Sequence, residues 1–468
     1  MAGGFPVVER TTRLPYPADV VYAWHTRPGA FERLTPPWER VEVVERTGGI
    51  EDGARAVLRV RAGPVPVRWA ARHEGVVPGR QFVDSQTEGP FSHWLHSHRI
   101  VPDGESASFL TDRIEYAAPY GIAGAAADLW WVRPRLERML AYRHAVLRDD
   151  LASHARAALA PLRVAISGAS GLIGRSLSAF LSAGGHRVTR LVRRAPGPGE
   201  IGWDPAAGRL DGALLEGVDA VVHLSGANVG EGRWTAARRR RIRESRTRGT
   251  ALLARALAGL ARPPAVLVSV SGVGIYGNRG DETLPDGSAP GAADLDTPAG
   301  FLVEVCEAWE AATEPARAAG IRVAIPRLGV VLSPAGGALA RLLPVFRLGL
   351  GGPIGSGRQW LSWLSIDDAV GIIHHAIATP GLAGAFNAGA PVPVTNADFV
   401  RTLGRVLHRP ALLPVPARAL RLAIGKMADA TLLASARALP TRLEASGYHF
   451  RHAELEAALR FLLGRQAA

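Results

Sequence analysis

The sequence predicts an α/β protein: a doubly wound parallel sheet with a helical lobe after it and an α+β domain in front of it. Three observations carry this. Up to about residue 160, strand-like alternation is broken by turn signals, with one short and one long helical segment. From Leu162, buried strand-like runs alternate with helical patterns. After about residue 390 the chain is helical and punctuated by proline. A chain of 468 residues exceeds one ordinary core. The expected divisions are 1–158, 162–390 and 391–468.

In the first division a helix is expected over about Ala18–His25. Strands follow at Val41–Arg46, Ala56–Arg61, Val67–Val76 and Ala107–Ala117, set apart by Gly48-Gly49, Glu51-Asp52-Gly53, Pro78-Gly79 and Asp103-Gly104. A longer helix runs from about Arg133 to Ala158, with Leu136, Met139, Leu140, Ala145, Val146, Leu147 and Leu151 at helical spacing. That combination builds a curved antiparallel sheet gripping a helix, with a cavity between the two.

The second division begins with strand Arg163–Ser167 and helix Gly171–Ala183, which Gly184-Gly185 ends. Strands Arg187–Val192 and Asp219–Leu224 come next, then helix Thr235–Leu260 and strand Val266–Val270. Helix Pro298–Ala319 and strand Arg322–Arg327 complete the pattern. In the third division Asn396–Leu407 reads as a helix capped by Asn396. Pro410, Pro414 and Pro416 break it, about two helical segments fall within Pro416–Ala438, and a last helix spans about Glu454–Leu463. This lobe is expected to face substrate over the strand ends.

The formal charge of +13 would suit an acidic partner. Of 55 basic residues, however, only Lys426 is lysine, and the arginines are scattered with no stripe interleaved with aromatics. Arg238-Arg239-Arg240-Arg241 lies in a helical pattern and reads as a solvated face. No nucleic-acid partner is expected. The single cysteine, Cys306, excludes an internal disulfide framework. Residues 1–20 lack a basic segment followed by an apolar core. The nearest approach to a membrane span, Ala117–Val132, is interrupted by Pro119, Gly121, Gly124 and Asp128. A cytoplasmic protein without a membrane partner is the expectation.

The most informative segment is Val164–Gly174, a buried strand, a glycine-rich turn and a helix start. Gly168, Gly171 and Gly174 give G-x-x-G-x-x-G, which brings a backbone close to a pyrophosphate and aims a helix N-terminus at it. Ser170, Leu172 and Ile173 belong to the same turn. The next strand ends in Arg193-Arg194, about 20 residues on, where an NAD-binding site would carry Asp or Glu. Arginine pairs with a 2′-phosphate instead, so NADP is preferred to NAD, with Arg193 first and Ser170 and Arg194 as helpers. Surface exposure of both arginines is the alternative.

The opening Arg13–Trp24 resembles the first strand and helix of the polyketide cyclase/START-like superfamily of helix-grip domains. The resemblance covers about 155 residues and implies a pocket for a small apolar ligand. Trp38, Trp69, Phe91, Trp94, Trp130 and Trp131 would line it, or serve as ordinary core and surface aromatics. His93, His96 and His98 look like a metal cluster, but with Arg99 they fit a half-exposed strand, and no metal is expected.

Downstream, Asp219–Ala227 resembles the fourth strand of extended short-chain dehydrogenases, with Leu224, Ser225 and Gly226 lying along the nicotinamide-side ribose. Gly249-Thr250 resembles that superfamily's N-V-x-G-T helix, with Arg246 at the asparagine position. Ser269–Gly277 resembles its S-S-x-x-V-Y-G strand end, and Pro326–Leu332 its R-x-x-N-V strand. Phe346–Trp363 leading into Ile366-Asp367-Asp368, with Arg233-Trp234, Ser245-Arg246, Trp309-Glu310 and Arg409-Pro410, closely resembles the epimerase family of atypical short-chain dehydrogenases. That resemblance runs from residue 163 to about 462. It implies a Rossmann sheet, a helical extension and a small-molecule substrate. Superfamily members commonly pair through helices of the sheet domain, which leaves the oligomeric state open between a monomer and a homodimer.

The superfamily's Tyr-x-x-x-Lys pair is missing. With Glu310 as the downstream glutamate, the lysine position falls on Cys306 and the tyrosine position on Leu302. The serine position is Gly272, with Ser271 adjacent. Ser271, Tyr276 and Glu282 are the candidate catalytic groups, with Glu282 as a base or else an exposed loop charge. Cys306 is a nucleophile or, on its apolar helix face, a core residue. Arg246 would anchor an anionic substrate or the cofactor diphosphate. Arg358, Gln359 and Trp360 resemble a substrate-contacting loop, or pack the C-terminal lobe. Two functions follow: an NADP(H)-dependent oxidoreductase or epimerase-like enzyme that moves its proton without Tyr and Lys, or a cofactor-binding sensor without turnover.

Overall fold

A computed structural model describes residues 5–62, 65–119 and 128–465, so residues 120–127 of the apolar stretch Ala117–Val132 lie outside it. The chain forms two compact units, 1–156 with two short segments (182–185 and 463–468), and the remainder up to 462. No helix among the described residues is long and apolar enough to cross a membrane.

The first unit is an antiparallel sheet of seven strands, β1 (Val7–Leu14), β2 (Glu42–Thr47), β3 (Arg55–Ala62), β4 (Val65–Val77), β5 (Gln81–Glu88), β6 (His93–Asp103) and β7 (Ala107–Ala117). Their order is β1-β7-β6-β5-β4-β3-β2. Helix α1 (Ala18–Thr26) and the long α3 (Arg133–Ala157), with the short α2 (Ala30–Leu34), supply the helical layer. Leu136 and Leu140 of α3 pack on Trp94, Ile114 and Tyr116, and Leu147 and Leu151 pack with Trp24, Ile100 and Leu110. Each such side chain contributes about 1.5–3 kcal/mol by leaving water.

Two expectations for this unit need correction. His96 and His98 are not half-exposed; they are 3% and 0% exposed. Strand periodicity puts residues 94, 96 and 98 on the buried face and His93 on the other, where it stacks on Phe5. The expected aromatic lining is not gathered around one space: Trp69, Phe91 and Trp94 pack on one another, Trp38 lies edge-on to Tyr142, and Trp130 is 87% exposed.

The second unit is a mainly parallel sheet. Its strands are β8 (Arg163–Ser167), β9 (Arg187–Val192), β10 (Glu200–Asp204), β11 (Arg209–Leu210), β12 (Ala220–His223), β13 (Val266–Ser269), β14 (Ser271–Gly272), β15 (Arg322–Leu328) and β16 (Gly384–Ala388). The order β11-β10-β9-β8-β12-β13-β15 reverses direction between β8 and β12, and β14 and β16 also pair with β15. Both faces are covered, which is why the strands read as unbroken apolar runs. Val164, Ile166 and Val222 face Leu177 and Phe180 of α4 (Leu172–Ala183), while Ala165, Val221 and Leu267 face Leu253 and Leu257 of α5 (Ala236–Ala258).

The expected helix Pro298–Ala319 is two helices, α6 (Pro298–Ala311) and α7 (Glu314–Ala318). Pro315 has no N–H for the continuing ladder, and the Thr313 hydroxyl donates back to the Glu310 carbonyl at 2.7 Å. The cap of Asn396–Leu407 is Thr395, whose hydroxyl accepts from the Asp398 N–H; the Asn396 side chain accepts from the Ile354 N–H at 2.8 Å instead.

Candidate functional site

Ligands of open α/β sheets bind beyond the carboxyl ends of the strands at the switch point, here between β8 and β12. Gly168 sits there with φ of 74°, and a Cβ on it would lie 2.9 Å from the Leu224 carbonyl carbon and the Ser225 nitrogen. In the first turn of α4, a Cβ on Gly174 would lie 2.2 Å from the Gly168 carbonyl oxygen. The Gly171 N–H donates to that same carbonyl at 3.0 Å, closing the turn. Ser170 and Gly171 are exposed, and Leu172 and Ile173 are half-buried. The turn is therefore a bare-backbone cradle at a helix N-terminus, which fits a dinucleotide diphosphate.

At the end of β9, Arg193 is exposed and makes no hydrogen bond or ion pair among the described residues. Arg194 is committed elsewhere, donating to Glu200 at 2.7 Å, and this bond holds the Glu200 carboxyl below its usual range.

Beyond β12, Leu224 and Ser225 are half-buried and Gly226 is exposed. Arg246 of α5 braces this segment from beneath. Its guanidinium donates to the carbonyls of Ala227 at 3.0 Å and Ile242 at 3.1 Å, and lies 4.9 Å from the centre of the Trp309 ring. A Cβ on Gly226 would be 3.2 Å from the Arg246 Cζ. Burial lowers the Arg246 pKa from its ordinary value.

Ser271 and Cys306 come together here. The Ser271 hydroxyl is buried, 4% exposed, with no hydrogen-bond partner among the described residues. Burial and then the Glu310 charge push the buried Cys306 thiol nearby up to about 11, against the opposing pull of Arg246. Leu302, one helical turn from Cys306, faces the same Gly274. The two positions that carry tyrosine and lysine in the resemblance thus hold an apolar chain and a neutral thiol.

Tyr276 shares an apolar cluster with Cys306, but its hydroxyl is engaged elsewhere, and Glu282 is an exposed loop charge. Tyr276 is fully buried, and its hydroxyl donates to Asn387 at 2.8 Å and accepts from Arg327 at 3.2 Å. Burial raises its pKa, so its structural place is an interior brace rather than an open acid. Glu282 is exposed and bonded by Arg279 at 2.7 Å, which holds its carboxyl below the usual range and unsuits it as a base. Sequence reasoning missed what surrounds Tyr276: Arg327 grips both oxygens of Glu310 at 2.9 and 2.8 Å, and Asn387 donates to the Leu284 and Leu439 carbonyls. Only the two separate motifs containing Arg327 and Glu310 hinted at that pair.

The loop at 358–360 divides by residue. The Gln359 amide donates to the carbonyls of Ile354 and Leu432, both at 3.0 Å. Trp360 donates to Asp281 and lies under Arg437. Both therefore pack the C-terminal segment. Arg358 is exposed. Trp234, Phe301, Val305 and Met427 form an apolar cluster with Leu302 at its edge, so the segment after residue 415 packs close to the Cys306 helix.

Comparison with known proteins assigns residues 164–389 to the NAD dependent epimerase/dehydratase family. Residues 14–144 match the polyketide cyclase / dehydrase and lipid transport family, and 415–462 match a domain of unknown function. An epimerase family protein of Mycobacterium bovis is 44% identical over 303 residues, 64% of this chain and 98% of that protein. A crystal structure of a nucleoside-diphosphate sugar epimerase from Corynebacterium glutamicum is 35% identical with a TM-score of 0.78, covering 98% of this chain and 90% of that one. The human epimerase family protein SDR39U1, solved with NADPH, is 36% identical with a TM-score of 0.58, covering 64% of this chain and 99% of that one.

Proposed function

The chain belongs to the epimerase family, and from that premise we propose that it binds NADPH across the carboxyl ends of β8, β9 and β12 and acts as an oxidoreductase or epimerase-like enzyme. The glycine turn carries the reading, because Gly168 and Gly174 occupy positions that no side chain fits. The human relative solved with NADPH supports the choice of nucleotide. So does Arg193, an unengaged guanidinium where a 2′-phosphate would lie. When bound, the nicotinamide supplies or accepts hydride. The chain's own residues orient it: turn amides past Gly168 hold the diphosphate, and Arg246 fixes the Ser225–Ala227 segment. Trp234 and Phe301, with Leu302 against them, form an apolar cluster that in this reading would shield the nicotinamide from water. Ser271, a buried hydroxyl without a hydrogen-bond partner, is the candidate proton-handling group of this reading.

The second reading, a cofactor-binding sensor without turnover, draws on Leu302 and Cys306. Neither residue exchanges a proton near neutral pH. A sugar nucleotide substrate rests on the name of the C. glutamicum protein alone, and fold does not fix function.

Calorimetric titration with NADPH and NADH tests the binding site; tighter NADH binding, or no heat with either, overturns it. Incubating NADPH with a panel of carbonyl compounds, including sugar nucleotides, then separates the readings. Loss of reduced-cofactor absorbance supports the enzyme, and tight binding without consumption supports the sensor.

A further inference from the structure

The interior of the first unit holds polar groups that neither reading of the nucleotide site uses. Registers place them side by side on one face: His73 of β4 opposite Asp84 of β5, Asp84 opposite His96 of β6, and His98 of β6 opposite Asp112 of β7. His144 of α3 approaches from the helical layer, 3.4 Å from Asp112. A helix-grip core needs none of these for packing, and buried polar groups of this density are costly unless they serve a ligand or each other.

We propose that Asp84, His96 and His98 bind a divalent first-row transition metal, with zinc as the reference ion. One ligand atom from each lies within 4.8 Å of the others. Two donors about 2.0 Å from a tetrahedral ion stand about 3.3 Å apart. His98 Nε2 and Asp84 Oδ2 are 3.3 Å apart. His96 Nδ1 lies 3.9 Å from the same carboxylate oxygen, and a ring shift of about half an ångström closes that edge.

An outer layer of polar contacts is already in place. The other nitrogen of His98, Nδ1, is 2.7 Å from Asp112 Oδ1, which orients Nε2 toward the ion. The other oxygen of Asp84 is 2.6 Å from His73 Nδ1. Phe82 stacks on His98 at 4.1 Å and holds the ring plane. His96 Nε2, the ring nitrogen turned away from the ion, lies 3.9 Å from Asp112 Oδ2. Two imidazoles and one carboxylate leave a coordination position unfilled, the pattern of a reactive rather than a sealed centre. Asp84, 23% exposed, is the most open of the three ligands.

The test uses the full chain, stripped with a chelator and titrated with Zn2+ by calorimetry and with Co2+ by visible absorption. Saturable binding tighter than about 10 μM is expected. His96→Gln removes a ligand but leaves the His98–Asp112, His98–Asp84 and His73–Asp84 contacts. It should weaken Zn2+ binding by at least about 100-fold and abolish the cobalt spectrum, with the thermal midpoint of the stripped protein unmoved. Should His96→Gln fail to fold, His73→Gln, at the half-buried edge, should still weaken Zn2+ by about 10-fold. No saturable Zn2+ binding, or binding untouched by the variants, overturns the proposal.

Discussion

Gly174 and Gly168 are so close that a Cβ on the first would stand 2.2 Å from the carbonyl oxygen of the second. The obstacle is backbone, which cannot swing away. Gly174→Ala should therefore displace the turn, costing about 1–3 kcal/mol of stability. NADPH affinity should fall at least about tenfold. Thermal unfolding and a nucleotide titration on the same preparation check both.

Arg193→Glu should weaken NADPH about 10- to 100-fold, the loss of one charge-assisted bond worth about 1.5–3 kcal/mol. NADH binding should change little, since it has no 2′-phosphate. An equal loss for both nucleotides would place the 2′-phosphate away from Arg193.

Tyr276→Phe should act on stability, not on nucleotide binding. It removes one buried hydrogen bond to Asn387 and one from Arg327, a cost of about 1–2 kcal/mol. Arg327→Met should cost about 3 kcal/mol by stranding Glu310, the lower end for buried pairs because these side chains remain 12% and 14% exposed. Denaturant melts give both numbers. A Tyr276→Phe protein of full stability that lacks turnover would return Tyr276 to the chemistry.

Cys306 should be unreactive toward alkylating agents in the folded protein at neutral pH, because burial pushes its thiol up to about 11. The unfolded thiol ionises first, near 9, so the unfolded state binds fewer protons between 9 and 11. The stability Cys306 contributes is complete below pH 9 and declines by about 2–3 kcal/mol as pH rises to 11. Cys306→Ala should flatten that part of the profile.

His223 gives the opposite flank. Burial, reinforced by the nearby Arg246 charge, lowers it to about 4, while it bonds Ser167 at 2.6 Å. The unfolded imidazole protonates first, near 6.5, so stability is complete above that pH and falls as pH drops toward 4, by about 3 kcal/mol. Melts of His223→Asn across that window should show a shallower slope.

The sequence by itself determined the two layouts: turn-separated alternation before residue 160, and buried strands alternating with helices after it. Local signals suffice there, because side-chain period and glycine spacing are properties of a short segment. It also determined the cradle, since Gly168, Gly171 and Gly174 lie within one strand–turn–helix. Only the tertiary structure decided what meets across strands. Asp84, His96 and Asp112 are 12 and 16 residues apart along the chain, and nothing but register sets them on one face. Period-two alternation separates His93 from His96, but burial depends on the helix packed above. Likewise Tyr276 became an interior brace because Asn387, 111 residues away, arrives on a neighbouring strand of β15. Hydrogen-bond partners supplied by long-range pairing leave no trace in the local sequence, and those partners fix whether a polar side chain is reactive or structural.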